Sequence, residues 1–427
     1  MADYKKRKNI KRITKRQSSI KSMSEDIAMK SSRKRNAYVS SENTSKPPLK
    51  VIKGNKRKIR YSVFITLAVS VVLVCIYFII LAFHPIGVTE YFSSIYKIIG
   101  SSQETESEFR GENIVDCKRF SDYYYLLTET DVKCFNNNGK LISGISHGYA
   151  KPVISTADTR YLVFGQGEKS VRFFNYEKEV SSTHFDEQIL CADISDNGTW
   201  AVATYADGYD SVVRVYNKNG KVLFEWYSAD GIVNSIMLTS NSNKILISTF
   251  NADKGSFESK LGLFNFKSAD SEKSFEFQDE LLLGVYQLSD NMLCALSENK
   301  LNFIDLKQGT SRSEVTDYSN RLIEQYGGKF VSVGCLSANT EKNYVTVFDK
   351  KGNKISSFTT EFPVNFITYN KNSLFVVSNS EVFKLDIDGN VVRSLKIPFD
   401  TKVIVPISEK YIIAINNSGT TKISLDQ

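Results

Sequence analysis

A five-residue pattern recurs down most of this chain: an apolar residue, a variable one, two mostly apolar ones, then Asn or Asp. It reads VKCFN ending at Asn136, VRFFN at Asn175, VRVYN at Asn217, LGLFN at Asn265, LNFID at Asp305, VTVFD at Asp349, VFKLD at Asp386 and, degenerately, KISLD at Asp426. Successive copies lie 39, 42, 48, 40, 44, 37 and 40 residues apart. Repetition at such a period means that each unit is one supersecondary element, unable to cover its own apolar face and obliged to stack on its neighbours.

The residues around each copy say which element it is. Asn136-Asn137-Asn138-Gly139, Asn217-Lys218-Asn219-Gly220, Asp349-Lys350-Lys351-Gly352 and Asp386-Ile387-Asp388-Gly389 supply residues that tolerate a tight or left-handed hairpin backbone. Each copy is therefore a strand that turns into another strand. Upstream of each lies a run rich in aromatic and β-branched residues, as at Tyr123 to Thr128, Trp200 to Thr204 and Leu374 to Ser378, and a further apolar run precedes that one, as at Leu190 to Ser195. About four strands every forty residues is the signature of a β-propeller blade. A pair of sandwiches would also give many short strands, but has no reason to repeat at forty. We expect an all-β fold, a β-propeller of eight blades with seven as the alternative. The last copy stops one residue short of the terminus, so the final unit needs a strand from elsewhere, and the chain around Glu106 to Arg110 is the available donor.

Charge divides the chain before the repeat begins. Residues 1–60 hold 20 Lys and Arg against 4 Asp and Glu, so the +8 total conceals a basic tail and an acidic remainder. Tyr61 to Phe83 is a run of 23 residues without a charge. At about 1.5 Å per residue that is the thickness of a hydrocarbon core, and it reads as a transmembrane helix. Lys53, Lys56, Arg57, Lys58 and Arg60 flank one side only, which sets the amino terminus in the cytoplasm. The tail, poor in apolar residues and carrying Pro47-Pro48, is expected to be disordered, with an anionic lipid surface as its contact and nucleic acid disfavoured. Residues 84–112 read as a short amphipathic helix, over Val88 to Gly100, and a polar linker; the propeller takes 113–427. With 3 His and 6 widely scattered Cys, there is little material for a metal centre or a disulfide framework. The cysteines are expected to be small buried hydrophobes.

At Ser195 to Ala203 the chain reads SDNGTWAVA. This resembles the S-P-D-G-x-x-L-A-x turn and strand of YVTN, TolB-like, quinoprotein-like and WD-like propellers, with Asp196 in the Pro position. Weaker echoes are STADTRYLVFG from Ser155, TSNSNKILIST from Thr239 and LSDNMLCALS from Leu288. The whole plan is similar to the uncharacterised single-pass, membrane-anchored propeller proteins of Gram-positive bacteria, and the resemblance implies a fold and a topology rather than a reaction. A quinone enzyme would need a recurring Trp motif, whereas Trp200 and Trp226 are the only tryptophans. Ser195 to Trp200 is two residues shorter than a sialidase Asp box. No Walker loop, G-x-S-x-G, H-E-x-x-H or zinc signature occurs. Asp386 to Asn390 has the flavour of a calcium loop but lacks the downstream Glu, so it reads as a turn.

The repeat is uneven at one connection. The loop between second and third strands lengthens at Tyr205 to Asp210, Asn251 to Lys260 and Ser337 to Asn343. Equivalent loops project from one face, which makes Tyr205, Tyr209 and Phe257 the candidate contact residues. The sequence thus points to a non-enzymatic binding or scaffold protein of the cell envelope, without cofactor, recognising a protein or a glycan. The alternative is an extracytoplasmic hydrolase or lyase with a site in the central channel.

Overall fold

In a computed structural model the chain is described over residues 65–76, 107–108 and 112–425, with short interruptions in the last stretch. The basic tail and the helix expected over Val88 to Gly100 lie outside the described residues. Residues 65–76 form an α-helix whose apolar side chains, Ile65 through Ile76, are exposed. No helix among the described residues is long and apolar enough to cross a membrane. The rest of the Tyr61 to Phe83 run lies outside them.

From residue 107 onward the described residues are strands and the turns that join them. The described residues form eight antiparallel four-stranded sheets, which we number in chain order: 114–146, 152–184, 189–228, 232–278, 284–315, 319–360, 366–396 and 401–424. In the first seven, strands are ordered as they occur in sequence. The eighth has only Thr401–Pro406, Tyr411–Asn416 and Gly419–Ser424 of its own, and Ser107–Glu108 completes it, with Ser107 opposite Thr420 and Glu108 opposite Gly419. The donor strand is where the sequence placed it.

In the first seven sheets the recurring five-residue pattern belongs to the third strand, in the eighth that strand ends at Ser424, and the terminal Asn or Asp of the described copies has a local physical cause. The Asp349 carboxylate accepts the backbone N–H of Lys351 and of Asn353, both at 2.8 Å, while its carbonyl accepts Gly352 N–H at 2.9 Å. Asn217 does the same for Asn219, Lys221 and Gly220, each at 2.9 Å. One side chain thereby satisfies two turn donors that no ladder reaches. The glycine three places on sits in the left-handed region, at φ 78° for Gly220 and 74° for Gly352, and the pairing shifts register there as a glycine bulge. At Asp386 the carboxylate accepts the N–H of Asp388 and Asn390 and the Asn390 amide. Both of its oxygens serve the turn, as the turn reading requires.

The core lies between sheets rather than within any one of them. Eight clusters of buried apolar side chains occupy eight successive interfaces. Tyr125, Val163 and Phe174 join the first and second sheets. Phe164 and Trp200 join the second and third, Val213 and Ile247 the third and fourth, Leu261 and Leu293 the fourth and fifth. Phe303 meets Phe348 between the fifth and sixth, Val347 meets Val376 between the sixth and seventh, and Val377 meets Ile412 between the seventh and eighth. The last cluster sets Tyr124, Leu126 and Phe135 of the first sheet against Val405 and Ile413 of the eighth. A chain of sheets whose end packs on its beginning is a closed ring, and this is the β-propeller expected from the period. Of the cysteines expected to be buried, Cys134 and Cys294 are wholly so within these clusters, whereas Cys117 and Cys191 are half-buried and Cys75 is exposed; all five are free thiols. Burial pushes the Cys191 thiol up to about 12.

Candidate functional site

Two kinds of connection meet at one end of the ring: the hairpins between second and third strands, and the links from one sheet to the next. Hydrogen bonds tie them together. Ile397 N–H reaches Ser380 O at 3.0 Å, and Gly231 N–H reaches the Asp210 carboxylate at 2.9 Å. Tyr205, Tyr209 and Phe257, the residues expected at a contact surface, all lie at this end and are 41%, 50% and 45% exposed.

The segments that carry them are strands rather than loops. Trp200–Ala206 and Tyr209–Tyr216 stay paired until Ala206 faces Tyr209, leaving Asp207-Gly208 as the turn. Lys244–Asp253 and Ser256–Asn265 pair in unbroken register to Asp253 opposite Ser256. The extra residues lengthen the ladder because each added pair satisfies two more backbone groups, which an open loop would leave to water. Most of the third long connection, Ser337 to Asn343, lies outside the described residues.

Sequence reasoning missed two further members. The Tyr227 ring lies 4.9 Å from that of Tyr209 across adjacent strands, and Phe399, on the link between seventh and eighth sheets, is 87% exposed. Tyr227 was legible only through strand pairing, since Val212 faces it. Phe399 stood in a segment, IPFD, that reads as a plain turn. Of the exposed Tyr and Phe side chains among the described residues, the one at the opposite end is Tyr411, and the Lys422 ammonium covers it at 4.7 Å. Exposed aromatic surface is therefore concentrated at one end.

The ring interior is differently built. Asp193, on the inner strand Ile189–Ile194, accepts Ser155 Oγ at 2.7 Å from the second sheet and Leu238 N–H at 2.8 Å from the fourth. Burial raises its carboxyl above the ordinary value, against those hydrogen bonds and one from Ile194 N–H. Its oxygens stitch three inner strands together, which is a structural use. Lys118, on the first inner strand, pairs with Asp116 at 3.1 Å and acts electrostatically on Tyr286 of the fifth. Among the described residues no group of three or more His, Cys, Asp and Glu side chains is placed to hold a metal ion.

Four-stranded antiparallel sheets packed face to face in a ring that closes on itself make this a β-propeller protein. The chain belongs to the family of unknown function DUF5711, matched over residues 93–425. Among solved structures it is similar to BamB from Moraxella catarrhalis, at 13% identity over 75% of this chain and 96% of that one, with a TM-score of 0.48. It is also similar to a eukaryotic initiation factor, at 10% identity over 75% and 85% of the two chains, with a TM-score of 0.48. No curated protein matches.

Proposed function

We propose that this chain is a non-enzymatic recognition module, an eight-bladed propeller held outside the cell membrane by one helix at 61–83, with its basic tail in the cytoplasm. The concentration of exposed Tyr205, Tyr209, Tyr227, Phe257 and Phe399 at one end carries the reading. Rigid aromatic rings supply large contact area at small ordering cost, and they dominate the energetics of protein interfaces. The hairpins that present Tyr205, Tyr209 and Phe257 are extended ladders on a closed ring, so that part of the surface is preorganised before a partner arrives. A protein of the envelope is the partner this surface fits. The apolar face of the helix at 65–76, open to its surroundings, favours the anchoring.

Photo-crosslinking in intact cells tests the module directly. A crosslinking amino acid at position 209, 257 or 399 is expected to capture a common protein partner, and one at position 411 is not. In a second arm, Tyr209→Ser, Phe257→Ser and Phe399→Ser combined are expected to reduce capture from position 227 at least tenfold, with the melting temperature held. Equal capture from both ends, or capture indifferent to the triple variant, overturns the reading.

A further inference from the structure

The repeat contains its own control experiment. At the second position of the five-residue pattern the copies carry Lys133, Arg172, Arg214, Gly262, Asn302, Thr346, Phe383 and Ile423. This position faces the preceding sheet, where the groove between two sheets widens outward. Arg172 Nη1 crosses it to the carbonyls of Ser146 and His147, at 3.0 and 2.7 Å. Lys133 bonds Glu112 Oε2, and the wholly buried Asn302 bonds Glu280 Oε2 at 2.9 Å. Only the fourth copy has no side chain there, and a cleft of about 260 Å³ stands in its groove.

Its walls have a definite chemistry. Half-buried Trp226, on the outer strand Val222–Ser228 of the third sheet, forms one side, and the Phe264 ring, which also lines the cleft, packs against it with centroids 5.1 Å apart. A Cβ on Gly262 would stand 2.5 Å from Phe264 Cε2, so that ring leans into the space the other copies fill. At the mouth, Lys260 Nζ bonds Asp230 Oδ2 at 2.8 Å, and the Lys260 ammonium holds the Asp230 carboxyl below its ordinary range. Thr249 and Ser274 add hydroxyls from neighbouring strands.

We propose that this cleft is a subsite for one neutral pyranose ring. An indole face matches the C–H face of such a sugar, and an edge of alternating acceptors and donors matches its hydroxyls. The Lys260 ammonium at the mouth disfavours a cation as occupant, and Asp230 and Glu258 beside it, at 2.8 and 3.8 Å, disfavour an anion. The size admits a single ring, being slightly below the roughly 300–1,000 Å³ of drug-sized sites. The subsite opens beside the aromatic end, on the link between the third and fourth sheets, but none of Tyr205, Tyr209, Tyr227, Phe257 and Phe399 lines it, so its failure leaves the protein-recognition reading untouched.

The test uses the full chain and a panel of glucose, galactose, mannose and N-acetylglucosamine, read by saturation-transfer NMR and by protection of Trp226 from acrylamide quenching. Trp200, 5% exposed and stacked on Tyr216, contributes little to the quenched signal. At least one sugar is expected to saturate with a Kd on the order of millimolar, as a ligand of about a dozen heavy atoms allows. Gly262→Arg, which installs the residue of the two preceding copies, is expected to weaken binding at least tenfold and, because its Cβ would displace the Phe264 ring, to lower the melting temperature as well. Asp230→Asn, on an exposed link, is expected to weaken it severalfold and covers the case in which Gly262→Arg does not fold. No saturable signal from any of the four sugars overturns the proposal, as does binding that both variants retain.

Discussion

Glu280 shows how single side chains lock one sheet to the next. It lies on the link between the fourth and fifth sheets and receives Lys300 Nζ at 2.6 Å, Asn302 Nδ2 at 2.9 Å and Ser297 Oγ at 3.0 Å. Burial raises its pKa, and the three donors together outweigh burial and hold the carboxyl below the ordinary 4.5. The folded protein therefore gives up this proton more readily than the unfolded chain does. The resulting stability is complete above the ordinary value and is lost as pH falls through the folded one. Glu280→Gln is expected to cost about 1–3 kcal/mol at neutral pH, by leaving buried donors poorly matched. Urea melts across a pH series check this: the gap to wild type should close in acid, and a gap that stays constant would mean that the charge is not what holds the link. The sequence offered no hint of this residue, because its partners sit 17 to 22 positions away on strands whose pairing sets the geometry.

At the scale of the element, the Asx-capped turn between third and fourth strands does the same job in several sheets but against different neighbours. Gly220 has φ 78°, and a Cβ there would meet open space, since nothing lies within 4 Å. Gly352 has φ 74°, and a Cβ there would stand 2.5 Å from Cδ1 of Phe303, a ring 1% exposed in the core. Gly220→Ala should cost about 1 kcal/mol, from backbone strain alone. Gly352→Ala should cost about 1–3 kcal/mol more, because a packed ring must move. Chemical denaturation of the two variants separates strain from packing, and equal losses would show that Phe303 yields freely. The Asn-x-x-Gly and Asp-x-x-Gly turns were plain in the sequence because their chemistry is local. The long hairpins at Tyr205 and Asn251 were not, since whether polar residues extend a ladder or leave it depends on the strand opposite.

For the whole molecule, closure makes the seam between the first and eighth sheets equivalent to any other interface. Leu126 is wholly buried at the seam and Leu261 is 1% exposed between the fourth and fifth sheets. Leu126→Ala and Leu261→Ala are both expected to cost about 2–5 kcal/mol, as buried leucine truncations do. Guanidinium melts of both variants test this, and a seam variant that loses far less would describe an open array with fraying ends. In a closed ring neither end can fray first without exposing two interfaces.

By itself the sequence determined the β-propeller, the place of each third strand, the capped turns and the donor for the eighth sheet. Those features follow from strand-favouring residue types, turn chemistry and a period near forty, all of which act over a few residues or recur from unit to unit. Tertiary structure alone decided that the Tyr227 ring lies against Tyr209 and that Phe399 stands exposed on the link between the seventh and eighth sheets, at the same end. It alone turned a glycine at position 262 into a cleft beside Trp226. Such sites arise where residues distant in sequence are brought together by packing between sheets, and a one-dimensional pattern records each residue without recording its neighbours.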